Sequence, residues 1–261
     1  MTSDAPGLLR VDRDGIATVT LNRPEQRNAL SRGLIAELKA ALDAIAADRA
    51  VRVVVLAANG PAFCAGHDLK ELRANNGPAF YEAIFTECSA VMMAIVRLPQ
   101  PVIARVHATA TAAGCQLVAS CDLAIAADGA RFATPGVNIG LFCSTPMVAV
   151  SRNLPRKHVM EMLLTGEMID AETAARLGLI NRAVPAETLD AEVARVAGLI
   201  AAKSPVTLAI GKEAFYRQLE MGQADAYAYA SAVMARNMAT RDAAEGIDAF
   251  LAKRQPVWCG A

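Results

Sequence analysis

Residues 100–122 have the sequence QPVIARVHATATAAGCQLVASCD, which indicates the fold class. It contains a short, mostly apolar run at residues 102–106, which is typical of a strand buried on both faces of a sheet. Similar runs occur at residues 51–57 and 123–127, and helical sequence rather than a tight hairpin separates each run from the next element. The repeated order of strand, strand and helix predicts an α/β fold for the first half of the chain.

Further elements are predicted on both sides of this stretch. On the N-terminal side, residues 11–21 predict two strands around a turn at Asp14 and Gly15, and Ser31 predicts the cap of a helix that ends near Asp48. No Gly/Ser-rich or Pro-rich linker divides the chain, so we expect one domain over residues 1–261. On the C-terminal side the pattern becomes mainly helical, with helices predicted at residues 170–177, 186–201, 205–219, 223–240 and 242–254.

The composition excludes several classes of protein. The chain has 261 residues, 54% of them hydrophobic, with 26 basic and 26 acidic side chains. This apolar content excludes a disordered chain, and a net charge of zero gives no electrostatic indication of binding to nucleic acid or to an anionic membrane. The six cysteines form no CxxC pair and no histidine lies at zinc-ligand spacing, so we expect no metal site. A small-molecule ligand or another protein remains as the expected partner.

Two segments bear on membranes and on location in the cell. Residues 132–151 lack Asp, Glu, Lys and Arg, yet they contain Pro135, Gly140 and Pro146, which interrupt a helix, so we predict loops and turns there. Residues 1–14 carry three aspartates and no apolar core segment, which argues against a targeting signal. The sequence therefore predicts a cytoplasmic protein.

Three motifs stand out along the chain: AFCAGHDLKEL at residues 62–72, the stretch at residues 100–122, and FATPGVNIG at residues 132–140. Together they resemble the crotonase, or enoyl-CoA hydratase/isomerase, superfamily. The resemblance extends from LNRPEQRNAL at residues 21–30 to AEGIDAFLAKRQPVW at residues 244–258. It implies a crotonase-like spiral of ββα repeats over about residues 1–200. Helices over about residues 201–261 would form a C-terminal layer that joins subunits into a homotrimer or a dimer of trimers.

The resemblance also implies that an acyl-CoA thioester binds with its carbonyl oxygen between two backbone amides. In the family, one amide belongs to the residue after the glycine of the CAG motif and the other to the turn that opens the next helix. These positions are His67 and Ala113 here. Two such N–H groups stabilise the enolate or oxyanion that forms in acyl-thioester chemistry. Coenzyme A would be part of the substrate, and we expect no separate cofactor.

Other positions of the family contact the CoA portion of the substrate. The loop at residues 25–27 would line its pantetheine and adenine end, where Arg27 suits a phosphate. Lys253 matches a position that reaches the CoA of a neighbouring subunit. For both cations the alternative is solvated surface charge. The implied CoA-binding residues are Glu25, Gln26, Arg27, Ala29, Ala65, Asp68, Leu69, Pro135 and Lys253.

All three positions that carry acids in the family are neutral in this chain. Hydratases of the family use two glutamates to activate water and to deliver a proton, and their positions hold Gln116 and Gly136. A third position, acidic in dienoyl isomerases and aromatic dehalogenases, holds Ser144. Glutamine cannot take up a proton at neutral pH, and Gly136 offers only backbone and space. Efficient hydration of an enoyl thioester is therefore not expected.

Few other side chains could replace these acids. His67 could act as an acid or base if its imidazole points into the site, and a ring turned to a carboxylate or to water is the alternative. We expect His107 to be a structural hydrogen bonder and His158 to be a surface residue. Asp68 is expected to cap a helix, and Cys143 lacks an evident base for a nucleophilic role.

Two functions from different classes remain open. The first is an acyl-CoA enzyme of the enoyl-CoA hydratase/isomerase type whose reaction needs little acid–base help, such as isomerisation, decarboxylation or weak hydration. The second is a catalytically degenerate acyl-CoA-binding or companion subunit. The two amides favour the enzyme, which we expect, and the neutral acid positions favour the companion subunit.

Overall fold

A computed structural model describes residues 6–261, so the first five residues of the segment considered for a targeting signal lie outside the described range. The strands are β1 (Leu8–Arg13), β2 (Ile16–Leu21), β3 (Val53–Ala58), β4 (Ala62–Cys64), β5 (Val102–Val106), β6 (Thr109–Thr111), β7 (Leu123–Ala127), β8 (Arg131–Ala133), β9 (Ile169–Asp170) and β10 (Arg182–Val184). The helices are α1 (Arg32–Ala47), α2 (Leu69–Ala74), α3 (Pro78–Arg97), α4 (Ala113–Ser120), α5 (Pro146–Val150), α6 (Arg156–Thr165), α7 (Ala171–Leu177), α8 (Leu189–Ala201), α9 (Pro205–Gln218), α10 (Gln223–Met238) and α11 (Arg241–Leu251).

The strands form two sheets that wind together along the chain. The larger sheet has the order β1-β2-β3-β5-β7-β10, and the smaller one has the order β4-β6-β8-β9. Each of the repeats β3–β4, β5–β6 and β7–β8 places its first strand in the larger sheet and its second in the smaller. From β2 onward the larger sheet is parallel, as helical crossovers require. The predicted spiral of ββα repeats with a helical C-terminal layer is confirmed.

The three apolar runs of the sequence form the centre of the larger sheet. β5 and β7 have the predicted bounds, and β3 begins two residues later than predicted because the chain first leaves a turn at Ala50. Alternate residues of β3 face opposite sides: Val54 lies in the main core with helix α1, and Val53 packs with Val193 of helix α8. Both faces of the sheet are therefore covered, which explains the lack of polar alternation in these strands.

Several elements depart from the sequence prediction. The strands of the smaller sheet and β10 have only two or three residues, too few for a periodic pattern to mark them. The helix predicted from residue 186 begins at Leu189, after a 3₁₀ turn at Ala186–Thr188. Helices α10 and α11 end at Met238 and Leu251, two and three residues before their predicted ends.

The segment that hydropathy marks as able to cross a membrane is not the uncharged stretch at residues 132–151. That stretch forms the end of β8, a 3₁₀ turn at Pro135–Ile139 and the short helix α5, as the loop prediction required. By length and hydropathy alone, α3 could cross a membrane, and the segment 186–201 with α9 passes the same test only as one span bent by 103°. One face of α3 lies in the core with α1, through Ile84, Cys88, Val91, Met92 and Ile95.

One buried cation ties the C-terminal helices to the core. The Nζ atom of Lys212 on α9 donates hydrogen bonds to Asp122 Oδ2 (2.6 Å) and to the carbonyl oxygens of Ile95 (2.9 Å) and Gln100 (3.1 Å). The hydroxyl of Tyr216 donates to the other oxygen of Asp122 at 2.9 Å. Burial lowers the pKa of Lys212, and the carboxylate of Asp122 opposes that effect. The start of the C-terminal layer is thereby fixed against the sheet.

Helix α4 makes a close contact with the end of strand β4. An ideal Cβ atom placed on Gly114 would lie 2.1 Å from the carbonyl oxygen of Cys64 and 2.8 Å from its Cβ atom. These distances leave no room for a side chain, so only glycine permits the approach. The contact holds the N-terminus of α4 beside the loop that follows β4.

We expect Gly114→Ala to lower the free energy of unfolding by about 3 kcal/mol, because either the helix or the strand must move away. Urea denaturation monitored by circular dichroism measures this loss. Gly198→Ala is the matched control, since Gly198 lies in helix α8 and a Cβ there meets no atom within 4 Å. The control should gain about 0.5–1 kcal/mol through helix propensity. Equal stability changes for the two variants would contradict the close-contact argument.

Candidate active site

The backbone N–H of His67 points away from Leu30, the residue with which His67 forms a β-bridge. Leu30 and His67 form an isolated parallel bridge. In it the N–H of Leu30 donates to the oxygen of Gly66 (2.8 Å), and the N–H of Asp68 donates to the oxygen of Leu30 (3.1 Å). Successive amides of an extended chain point to opposite sides, so the N–H of His67 points away from Leu30. This amide has no hydrogen-bond acceptor within residues 6–261.

The second amide belongs to Ala113, the first residue of helix α4. The preceding residue, Ala112, has φ 50° and ψ −118°, a strained conformation that glycine normally adopts. The N–H of Ala112 donates to the oxygen of Ala133 at 2.9 Å, which ties this turn to strand β8. As a first-turn amide, the N–H of Ala113 has no partner in the hydrogen-bond ladder of the helix.

The loop that carries the first amide lies against the turn that carries the second. An ideal Cβ atom on Gly66 would be 2.9 Å from the Cβ of Ala112 and 3.6 Å from the nitrogen of Ala113. The loop that carries His67 is therefore in contact with the start of α4. Two N–H groups beside the positive end of a helix can stabilise negative charge that develops on an oxygen atom. The structure thus brings together the pair of residues that the sequence indicated.

The imidazole of His67 packs against an aromatic ring. Its centroid is 5.1 Å from that of Phe85 in an edge-to-face arrangement. Both ring nitrogens are buried, and the polar group that acts on them is the backbone of Leu30 rather than a carboxylate. Burial lowers the pKa of His67 below its ordinary value of 6.5, which keeps the ring neutral at pH 7. A neutral imidazole can act as a base or an uncharged donor, not as a charged acid.

Two of the three expected acid positions hold side chains without a proton-accepting group. Gln116 lies in α4, three residues after Ala113, and is almost fully buried. Its Oε1 atom has no hydrogen-bond partner among residues 6–261. Ser144 is exposed, and its hydroxyl donates to the carbonyl oxygen of Phe142 at 3.3 Å. Neither residue can take up a proton at neutral pH.

The expectation that Gly136 leaves space for a side chain is wrong. An ideal Cβ atom there would lie 2.7 Å from the carbonyl oxygen of Leu141 and 3.0 Å from the Sγ of Cys143. The N–H of Leu141 donates to the oxygen of Gly136 (2.9 Å), so the loop after the 3₁₀ turn folds back over this residue. Burial also raises the pKa of the Cys143 thiol, which disfavours a thiolate nucleophile. A larger residue at position 136 requires this loop to move.

Asn28 organises the expected CoA loop and was not identified from the sequence. The side chain is fully buried, and Nδ2 donates to the carbonyl oxygens of Asn59 (2.7 Å) and Ala62 (2.8 Å). Its Oδ1 accepts from the N–H of Arg23 at 2.8 Å. The φ angle of Asn28 is 54°, a left-handed conformation that asparagine tolerates. An asparagine within a short turn was the signal that could have revealed it.

Most of the residues expected to line CoA lie on the loop at residues 25–29 or on the segment at residues 65–69, and these two segments contact each other. Glu25, Gln26 and Arg27 are exposed on the loop that Asn28 holds. The N–H of Ala65, before the first amide of the site, donates to the oxygen of Arg27 at 3.0 Å. The loop and the site are thus joined by a direct backbone contact.

Asp68 has both a capping and a pairing role. One carboxylate oxygen accepts from the first-turn amides of α2 (3.2 and 3.3 Å), as the sequence predicted, and the other pairs with Arg23 at 3.2 Å. Arg23 also donates to the oxygen of Ala29 (2.7 Å), which ties the loop to this helix. Leu69 is exposed beside Asp68, and Pro135 is partly buried where the 3₁₀ turn begins.

Lys253 and the remaining histidines lie outside this group. Lys253 is exposed after the end of α11, and its side chain makes no hydrogen bond or ion pair in the described chain. A ring nitrogen of His107 lies 2.8 Å from the oxygen of Gly60, so its structural role is confirmed. His158 is on the surface of α6, 3.9 Å from Glu161, as predicted.

Comparisons with known proteins agree with this architecture. Residues 12–261 match the family described as "Enoyl-CoA hydratase/isomerase". Enoyl-CoA hydratase domain-containing protein 3, mitochondrial, of Rattus norvegicus is 48% identical over 94% of this chain and 82% of its own length. The solved enoyl-CoA hydratase of Mycobacterium smegmatis has a TM-score of 0.96 and 55% identity, covering 97% and 99% of the two chains. Human enoyl-CoA hydratase domain-containing protein 3 has a TM-score of 0.95 and 47% identity, covering 97% and 100%.

The predicted cytoplasmic location is contradicted by these relatives. The proteins that are 48% identical in rat, mouse and human are all named as mitochondrial. The prediction rested on the composition of residues 1–14, and the composition of one short segment does not decide the compartment of a protein.

The family match covers all the repeats of the spiral and the helical layer, and the solved relatives superpose over nearly the whole chain. The chain belongs to the enoyl-CoA hydratase/isomerase family.

Proposed function

We propose that the protein is an enzyme that binds acyl-CoA thioesters and stabilises an enolate or oxyanion with the amides of His67 and Ala113. The observation that supports the proposal is the contact of the His67 loop with the N-terminus of α4, where each segment carries an N–H group that has no acceptor among residues 6–261. An oxyanion gains more from such fixed donors than a neutral carbonyl does, so the arrangement favours the charged intermediate over the substrate. Coenzyme A enters as part of the substrate, and no separate cofactor takes part.

The CoA portion lies along the loop that Asn28 fixes. Arg27 would meet a phosphate, with Glu25, Gln26, Ala29, Ala65, Asp68, Leu69 and Pro135 along the thioester path. Exposed Arg27 can form bidentate hydrogen bonds to phosphate oxygens. The backbone contact between Arg27 and Ala65 holds this loop next to the segment that carries the amide of His67.

The reaction needs little acid–base help. Gln116 and Ser144 cannot accept a proton, position 136 has no side chain, and burial keeps His67 neutral. Isomerisation, decarboxylation or slow hydration fits such a site, because the oxyanion donors contribute to each of these reactions.

A non-catalytic acyl-CoA-binding subunit is the second candidate. The observation that favours it is the closure of the loop at Leu141 over Gly136, which fills the place where hydratases carry their second acid. Binding would then persist without turnover. The two candidates differ in one measurable property, which is the formation of any product from a bound thioester.

We also propose a homotrimer, or a dimer of trimers, built through the C-terminal layer. Helices α9, α10 and α11 present large apolar side chains to solvent in the single chain, and these include Phe215, Leu219, Met234, Phe250 and Leu251. Such a surface is typical of an interface between subunits. In this arrangement Lys253, which follows α11, would reach the CoA bound by a neighbouring subunit.

The variant Ala113→Pro tests the oxyanion proposal, because proline removes one donor while remaining compatible with the first position of a helix. Binding of butyryl-CoA should weaken by about three- to tenfold, the value of one hydrogen bond. Binding of S-butyl-CoA, a thioether without the carbonyl oxygen, should stay within about twofold. Isothermal titration calorimetry measures both. Arg241→Pro places proline at the first position of α11 and is the matched control. Equal losses for the two ligands would contradict the assignment.

Crotonyl-CoA hydration tests the role of the neutral acid positions. The unmodified protein should turn over far below the ~10 s⁻¹ that is typical of enzymes. Gln116→Glu should raise hydration by at least about tenfold, because it restores one proton-transferring group, whereas Gln116→Met should not. Adding Gly136→Glu should give no further gain and should lower Tm, since its Cβ would meet the oxygen of Leu141 at 2.7 Å. Turnover by the unmodified protein at the typical rate would overturn this interpretation.

Light scattering after size-exclusion chromatography tests the assembly. At micromolar concentration the mass should be three or six times the 27.4 kDa of one chain. The double variant Phe250→Glu with Leu251→Glu should shift the mass toward the monomer, because it charges two side chains that are 82% and 73% exposed. Val11→Glu, at an exposed apolar residue on β1, should leave the mass unchanged. A stable monomer of the unmodified protein would refute the proposed trimer.

A further inference from the structure

Ala112 has a backbone conformation that is costly for an alanine. Its φ of 50° and ψ of −118° lie outside the regions that residues with a side chain normally occupy. Arg27 has the same φ, but its ψ of 37° places it in the left-handed helical region, which side chains tolerate better. Glycine would adopt the conformation of Ala112 without a steric penalty, because it has no Cβ atom. A strained residue of this kind persists only where its surroundings impose the conformation.

Hydrogen bonds on both sides of Ala112 impose it. The N–H of Ala112 donates to the oxygen of Ala133 at 2.9 Å, which joins the turn to strand β8. The oxygen of Ala112 accepts the N–H of Gln116 at 3.0 Å, which begins the hydrogen-bond ladder of α4. Because the peptide groups before and after Ala112 are both engaged, the residue cannot rotate to a relaxed conformation without breaking one of these hydrogen bonds.

The conformation of Ala112 directs the second amide of the candidate site. The peptide group that follows Ala112 contains both the oxygen of Ala112 and the N–H of Ala113. In a trans peptide these two groups point in opposite directions. Since the oxygen points along the helix toward Gln116, the N–H of Ala113 points out of the N-terminus of α4.

The methyl group of Ala112 faces the loop that carries the first amide. An ideal Cβ atom on Gly66 would lie 2.9 Å from the Cβ of Ala112, and Gly66 itself has a φ of 97°. The methyl group therefore meets the backbone of Gly66, next to His67. The hydroxyl of Thr111 donates to the oxygen of Ala65 at 3.1 Å and draws the same two segments together. The hydrogen bond holds the segments in contact, and the methyl group limits how closely they approach.

We propose that Ala112 is a positioning residue whose methyl group holds the His67 loop at a fixed distance from the N-terminus of α4. This inference rests on the proposed function, in which the amides of His67 and Ala113 donate to one oxygen atom. Each donor must lie about 2.7–3.1 Å from that atom, so the spacing of the two segments has little tolerance. Glycine at position 112 would relieve the strain, but it would let the segments move closer together. The spacing that a Cβ atom provides offsets the cost of the strained conformation.

The variants Ala112→Gly and Ala112→Ser test this role with acetoacetyl-CoA as the probe. The enolate of this thioester absorbs in the near ultraviolet and its keto form does not, so a pH titration measures how strongly the site favours the oxyanion. The unmodified protein should make the bound probe ionise at a lower pH than the free probe. Ala112→Gly should lower the ionisation constant of the bound probe by about three- to tenfold, the value of one hydrogen bond. Ala112→Ser keeps the Cβ atom and should stay within about twofold of the unmodified protein.

Thermal unfolding separates a spacer from ordinary packing. Ala112 is partly buried and packs against the main core, so the loss of a methyl group that served only to fill space would lower Tm. The removal of backbone strain should instead raise the Tm of Ala112→Gly by about 2–4 °C. Asp14→Gly is the matched control, because Asp14 has a φ of 52° in the turn before β2, at the opposite edge of the larger sheet. This control should leave the ionisation of the probe unchanged.

The results distinguish this inference from the proposed function. If the unmodified protein binds acetoacetyl-CoA without favouring its enolate, the proposed function fails and the inference fails with it. If the unmodified protein favours the enolate and Ala112→Gly does so equally, the spacer role alone is overturned. A lower Tm of Ala112→Gly, or a loss in Ala112→Ser as large as that in Ala112→Gly, would also overturn the spacer role.

Discussion

The contact between Gly114 and the carbonyl oxygen of Cys64 is the constraint on which the site depends. It allows helix α4 to begin against the end of strand β4, closer than any residue with a side chain permits. The turn at Ala112 then takes up backbone strain, and it places the amide of Ala113 against the loop that carries His67. Neither amide could be aimed by its own side chain. The position of both follows from how closely two pieces of backbone approach each other.

The sequence predicted the central strands of the larger sheet better than the smaller sheet and the ends of the helices. β5 and β7 were predicted at their observed bounds because strands covered on both faces form short apolar runs that nothing else in the chain resembles. The smaller sheet was missed because strands of two or three residues carry no period. Those strands form because the repeats of the larger sheet place them in register. Tertiary structure rather than local sequence therefore determines them. The ends of α10 and α11 were predicted too late because the residues that follow them, Ala239, Ala252, Lys253 and Arg254 among them, favour a helix by intrinsic propensity.

The site was predicted unevenly for a related reason. The resemblance to the family pointed to His67 and Ala113, and the small residues around both positions agree with a close approach of two backbone segments. The space at Gly136 was predicted wrongly, because the residue that fills it, Leu141, arrives through a loop whose path is not encoded in a pattern. Asn28 was overlooked because its buried hydrogen bonds join segments more than thirty residues apart. Contacts between segments so far apart in the sequence cannot be predicted from the pattern of neighbouring residues.

The two edges of the larger sheet differ in how their polar groups are held. At the edge beyond the ends of β3 and β5, the chain turns into the smaller sheet and leaves backbone donors free, which suits an oxygen whose charge changes during a reaction. At the edge where the strands begin, Arg52 and Gln100 are fixed by hydrogen bonds to Lys203, Ile45 and Asp48, and the tail at Trp258 closes one side. These hydrogen bonds hold the second edge together and tie the tail to the sheet. The free backbone donors at the first edge are therefore the reason for proposing that the reacting end of a substrate lies there.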